Sequence, residues 1–158
     1  MKTIRLTNGS ETLVDDEDYE ELACYKWFAS SRNKKQYYAL MRNPATGENE
    51  RMHRVILHAK CGKIVDHKNG NTLDNRRCNL RFADACQNSW NARRIGGSSK
   101  YKGVSWNKER KRWKTCIAFR GKQNCLGKFK NEDDAGLMYY VASQILHGEY
   151  SVFHRKTL

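Results

Sequence analysis

The sequence predicts an α+β protein assembled from small modules: an N-terminal β-rich scaffold, a strand–turn–strand–helix core, and a three-stranded antiparallel sheet packed on one helix. Three observations predict it. Short strand-like runs separated by polar turns recur through both ends of the chain. A long Asn/Gly-rich turn, KNGNTLDNRRC, sits between two short apolar runs and ahead of a helix start. After Asn131 the apolar residues fall at helical spacing. A chain of 158 residues divided this way leaves each module a modest core. The boundaries read as 1–50 for the scaffold, 51–95 for the core, 96–100 for a linker and 101–158 for the sheet-and-helix module.

In residues 1–50, Thr3 to Leu6 and Thr12 to Val14 read as short strands. The run DDEDYEEL places Asp15 or Asp16 at the cap of a short helix whose first turn welcomes negative charge. Trp27, Phe28, Tyr37, Tyr38 and Leu40 flank SSRNKKQ, the pattern of a hairpin with a polar loop, and the turn around Pro44 closes the region. MHRVILHAK reads as a short helix, and Ile64 and Val65 as a buried strand that ends at Asp66 and His67. NLRF supplies a second strand, and Asp84 fits the cap of a helix from Ala85 to about Arg94. The Gly-Gly-Ser-Ser run after Ile95 is the one flexible stretch of composition. Beyond it YKGVSWN, RWKTCIAFRG and KQNCLGKFK read as three strands of a meander. Asn131 then caps a helix with an acidic first turn, which stops at Gly148 and carries an apolar stripe of Ala135, Met138, Tyr139, Ala142, Ile145 and Leu146.

Thirty Lys and Arg against seventeen Asp and Glu leave a formal charge of +13. Residues 1–50 carry −2, 51–100 carry +8 and 101–158 carry +7, so the basic surface begins near residue 51. A polyanion is the expected partner, with nucleic acid foremost. No apolar run approaches the roughly 18 residues of a membrane span, and no charged start precedes an apolar segment. The six cysteines form no C-x-x-C pair, which excludes zinc-ribbon spacing and favours reduced thiols.

The chemistry concentrates in VDHKNGNTLDNRRCNLRFADACQNSWN, residues 65–91. Hydrolysis of a phosphodiester needs a nucleophilic water, charge neutralisation at phosphorus and help for the departing oxygen; one hard cation and one imidazole supply all three. His67 is the candidate base, because imidazole is largely neutral above pH 7. Asp66 points to the opposite side of an extended strand and is the candidate ligand for magnesium or manganese. An amide on the following helix completes the set: Asn88 first, with Asn91 one turn away as the second candidate.

The string DHxNGNxxDNRxxNLR resembles the HNH endonucleases, in particular their phage and intron-encoded homing branch, over residues 53–91. The resemblance implies a ββα-metal fold, with His67 as general base, Asp66 and Asn88 as metal ligands, and Asn79 as the residue that bridges the turn and holds the histidine strand. Residues 101–153 resemble the plant Apetala-type, or ethylene-response-factor, DNA-binding domain through YKGV, RWK, LGKF and EDDAGLMYYVASQILHGEYS. In that family a three-stranded sheet enters the major groove and one helix packs behind it. Lys102 falls on a basic contact position. Ser105, Asn107, Cys116, Ala118, Gln123 and Cys125 replace its usual readers, so base preference does not carry over.

Together these readings imply a metal-dependent endonuclease on double-stranded DNA, acting in the cytoplasm, of the host cell if a phage encodes it. No obligate protein partner is indicated. One site per chain nicks, and a double-strand break requires a homodimer or two visits. The rival reading is a sequence-specific DNA-binding regulator with an inactive core. Candidate DNA contacts are Arg54, Arg76, Arg77 and Arg93 beside the core, with Arg81 and Arg94 as further clamps or solvated surface. In the sheet module they are Lys102, Ser105, Asn107, Lys108, Arg110, Arg112, Lys114, Arg120 and Lys122. Trp106 and Trp113 read as core residues.

Overall fold

The computed structural model describes residues 1–31, 36–92 and 97–152. It is an α+β structure of several small antiparallel sheets in two compact units, Met1–Asp84 and Ala85–Leu158.

The first unit opens with a hairpin of β1 (Lys2–Arg5) and β2 (Glu11–Val14), followed by α1 (Asp16–Ala23). Asp15 precedes the helix, but its side chain accepts from the Arg77 backbone N–H at 2.7 Å instead of capping its own helix. β3 (Phe28–Ser30) and β4 (Tyr38–Arg42) form the expected hairpin, pairing Phe28 with Leu40 and Ser30 with Tyr38. The turn around Pro44 does not close the region, however. Asn43 Oδ1 accepts from the Ala45 N–H, and the chain returns as β5 (Asn49–Arg51), which pairs with β4. A third strand therefore runs directly into α2 (Met52–Ile56).

β6 (Ile64–His67) and β7 (Leu80–Ala83) pair antiparallel, with Asp66 opposite Arg81 and His67 opposite Leu80. Between them the chain loops back to the first hairpin: Leu13 donates to the Leu73 carbonyl and accepts from the Asn75 N–H. The scaffold and the β6–β7 hairpin consequently share one core, comprising Ile4, Leu6, Val14, Leu22, Trp27, Ala39, Met41, Met52, Ile56, Val65 and Leu80. Trp27 is the largest buried side chain, and its indole N–H is satisfied by the Leu22 carbonyl at 2.7 Å.

The second unit begins with α3 (Ala85–Asn91). A meander of β8 (Val104–Asn107), β9 (Arg112–Phe119) and β10 (Lys122–Phe129) follows, and α4 (Glu132–His147) packs on this sheet. Arg120 and Gly121 both have positive φ, 51° and 72°, which makes a two-residue hairpin turn of the kind that matches strand twist. Asn131 caps α4 by accepting from the Asp133 N–H. Gly103 is required: a Cβ there would stand 2.1 Å from the Tyr139 ring.

The buried line of α4 is Ala135, Gly136, Tyr139, Ser143 and His147, whereas Met138 and Ile145 of the expected stripe are exposed. Two polar residues displace them because each finds a partner, Ser143 in Ser151 Oγ and His147 in the Ala118 carbonyl. Trp90 stacks on the His147 ring at 4.3 Å. Trp106, on the short edge strand β8, is exposed and meets Trp113 edge-on. No helix among the described residues is long and apolar enough to cross a membrane.

Candidate functional site

Alternation along β6 sends Asp66 and His67 to opposite sides of the strand. Both are buried, and each has a dedicated partner. Asp66 Oδ2 accepts from Arg81 Nε at 3.0 Å and Nη2 at 2.8 Å, a pairing set by the register that places the two residues opposite one another. A fork-shaped guanidinium thus holds the carboxylate in one orientation.

His67 lies in a polar pocket within the first unit. Asn75 Nδ2 donates to Thr12 Oγ1 at 2.7 Å, which turns Oδ1 of the same amide toward His67 Nε2 at 3.1 Å. Because Oδ1 only accepts, Nε2 carries the ring proton and Nδ1 is the basic nitrogen. The His53 ring meets His67 edge-on at 4.9 Å, and Tyr38 tilts over both. Burial pushes the His67 pKa below the usual imidazole value, opposed by Asn75, Asp66 and Asp74. His53 is pushed down to about 3 by burial first, then by its neighbours His67, Arg51 and Arg54. Both rings are neutral at pH 7.

Asn79 is the staple of the turn. Its Oδ1 accepts from the Asn69 N–H, its Nδ2 donates to the Asp74 carbonyl, and its own carbonyl accepts from the Lys68 N–H, the residue after His67. Asn69 in turn donates to Asp74 Oδ2. The Asn-rich sequence therefore builds a closed hydrogen-bonded loop that fixes where β6 ends. Asn75, which sequence reasoning passed over, is fully buried and orients the imidazole. Nothing in NGNTLDN distinguishes it from its neighbours, since its role depends on Thr12, far away in sequence.

The basic residues around this loop have intramolecular partners. Arg54 donates to the carbonyls of Ala59, Lys60 and Lys63. Arg76 clasps Asp74 through two bonds of 2.7 Å, and Arg77 clasps Asp18 at 2.9 and 2.6 Å while also pairing with Glu17. Arg93 and Arg94 lie outside the described residues.

Asn88 and Asn91 both stand on α3 in the second unit, Asn88 exposed and Asn91 2% exposed. The donor types, a carboxylate and amide oxygens, suit a hard divalent cation. Among the described residues no three His, Cys, Asp or Glu side chains cluster as a metal site. Lys102 caps α3, donating to the carbonyls of Ser89, Trp90 and Ala92 at 2.7–2.8 Å.

In the sheet, Thr115 and Ile117 are buried and Thr115 Oγ1 bonds the Ala135 carbonyl, so this side of β9 faces α4. The opposite side carries Arg112, Lys114, Cys116 and Ala118. Register adds Asn107 beside Arg112, Ser105 and Lys128 on either side of Lys114, Cys125 beside Cys116, and Gln123 beside Ala118. Lys128 is the one cation of this face that sequence reasoning did not single out; its pairing with Lys114 reveals it. Lys108 and Arg110 are exposed in the turn between β8 and β9, where Asn107 Oδ1 accepts from the Arg110 N–H. Arg120 rests over the Phe119 ring, and Lys122 is exposed at the hairpin end.

Residues 50–90, which hold the Asp-His strand end and the Asn-rich turn, match the HNH endonuclease family, and an HNH domain implies a phosphodiester hydrolase with DNA as substrate. The chain is 35% identical to Protein 3.8 of Escherichia phage T7 over 95 residues, which cover 58% of this chain and 76% of that protein. The chain belongs to the same family as that phage protein. No solved structure matches the chain.

Proposed function

We propose that the chain is a metal-dependent DNA endonuclease of the homing type, which docks on duplex DNA through the outer face of its C-terminal sheet and nicks one strand. The observation that carries this reading is the oriented, neutral imidazole: Asn75 fixes the proton on His67 Nε2, so Nδ1 is the nitrogen that accepts a proton. His67 takes a proton from water, and the water oxygen attacks phosphorus in line, leaving 5′-phosphate and 3′-hydroxyl ends. Asn79 keeps the histidine at the end of β6 by closing the turn on Lys68 and Asn69. Asp66, steadied by Arg81, would hold magnesium or manganese, which when bound supplies charge neutralisation at phosphorus and at the departing oxygen.

Docking in the manner of the Apetala-type domain rests on the outer sheet face, where Arg112, Lys114 and Lys128 stand with Ser105, Asn107 and Gln123. Arg110 and Lys108 extend that face at the turn. The discriminating experiment incubates labelled duplex DNA with the protein in magnesium and, separately, in EDTA. Retarded DNA in EDTA with newly nicked DNA in magnesium supports the proposal; retardation in both with no cleavage identifies a binding protein with an inactive core.

A further inference from the structure

On the outer face of the sheet, Cys116 of β9 stands directly opposite Cys125 of β10. Two independent features define the geometry of this pair. The Cys116 N–H donates to the Gly103 carbonyl at 2.8 Å, so the backbone polar groups of Cys116 turn toward β8 and away from β10. The hairpin turn gives the same answer: Phe119 and Lys122 close a two-residue loop as a hydrogen-bonded pair, so alternation through Ala118–Gln123 and Ile117–Asn124 makes Cys116–Cys125 a non-hydrogen-bonded pair. At such positions the Cα atoms lie about 4.5 Å apart and side chains approach most closely, within the range a disulfide spans. Cys125 is exposed, Cys116 half-buried, and the register shift just after Cys125 gives β10 room to adjust. Burial pushes the Cys116 thiol up, the neighbouring Cys125 adds to this, and Lys114 opposes it. The other four cysteines, Cys24, Cys61, Cys78 and Cys86, are exposed, and none of them has a cysteine paired opposite it in a sheet.

We propose that Cys116 and Cys125 form a dithiol site that closes to an intramolecular disulfide by exchange with a small-molecule disulfide. The exposed Cys125 thiolate attacks one sulfur of the small disulfide, forming a mixed disulfide and releasing one thiol. The Cys116 thiolate then attacks Cys125 Sγ, the Sγ–Sγ bond forms, and the second thiol leaves. Two protein thiols are oxidised, one small disulfide is reduced, and the two thiol protons end on the two departing thiols. Pairing across the strands makes the second step intramolecular, so the mixed disulfide at Cys125 does not accumulate, whereas adducts at the isolated cysteines persist.

The test treats the folded full-length protein with excess oxidised glutathione at mildly alkaline pH, quenches with acid and maps the non-reduced peptides by mass spectrometry. The expected product is a cross-linked peptide pair holding Cys116 and Cys125, lighter by two hydrogens than the separate peptides, beside glutathione adducts on the other cysteines. In Cys125→Ser, Cys116 cannot close the bond and is recovered unbridged, as the thiol or the glutathione adduct. Separate glutathione adducts on Cys116 and Cys125 in the unaltered protein, or equal recovery of unbridged Cys116 with and without Cys125, would overturn the site.

Discussion

At the residue scale, the burial of two imidazoles in one pocket is the feature with the widest consequences. His53 has a pKa of about 3 in the fold against 6.5 in the unfolded chain, so the unfolded state binds the extra proton between those values. The stability this burial permits is complete above pH 6.5 and is lost as pH falls toward 3, at up to about 1.4 kcal/mol per pH unit. Chemical denaturation from pH 7.5 to 4.5 should show this decline, and His53→Phe should flatten it. His67 shifts in the same direction, so the acid limb of its cleavage profile should lie below the ordinary imidazole value near 6.5. A limb above that value would contradict the buried, neutral ring.

Asn75→Ala tests the orientation itself. The substitution strips the partner from His67 Nε2 and from Thr12, a cost on the order of 1–3 kcal/mol per unsatisfied buried group. The expected result is a lowered melting temperature together with a cleavage rate reduced about tenfold or more at temperatures where the variant is folded, since the ring is free to turn its proton the wrong way. Loss of stability with unchanged cleavage would remove Asn75 from the site.

At the scale of elements, the outer face of the sheet presents Lys114 and Lys128 as a cross-strand pair of like charges, an arrangement that favours an anionic partner over an empty surface. Replacing both with Ala should weaken duplex binding at moderate salt and lower the slope of log affinity against log salt by about two, one for each phosphate that no longer meets a lysine. An unchanged slope would place the DNA elsewhere. Much of this architecture was legible in the chain: the Asp-His strand end, the Asn-rich turn, the NLRF strand and the C-terminal meander all follow from local pattern. What was not legible depended on partners distant in sequence. Arg77 reads as a phosphate contact until Asp18 appears beside it, and Lys102 reads as one until the end of α3 does. The stripe of α4 holds at Ala135 and Tyr139 but not at Met138 and Ile145, for a related reason: Ser143 and His147 are buried by hydrogen bonds that no hydropathy pattern encodes.

At the scale of the whole molecule, the described residues hold one Asp-His strand end in one compact unit and a basic sheet face in the other. On the proposed reading such a chain should nick, and it should bind through charge. Between low and moderate salt, duplex affinity should fall by orders of magnitude if about five to eight phosphates are neutralised. The central claim, however, is chemical, and relaxation of supercoiled plasmid measures it most directly. With magnesium present, the unaltered protein should convert supercoiled plasmid to the open circle, and His67→Ala, verified as folded by circular dichroism, should lose that activity by a factor of a hundred or more (about 2.7 kcal/mol). Full relaxation by the His67→Ala protein would contradict the account.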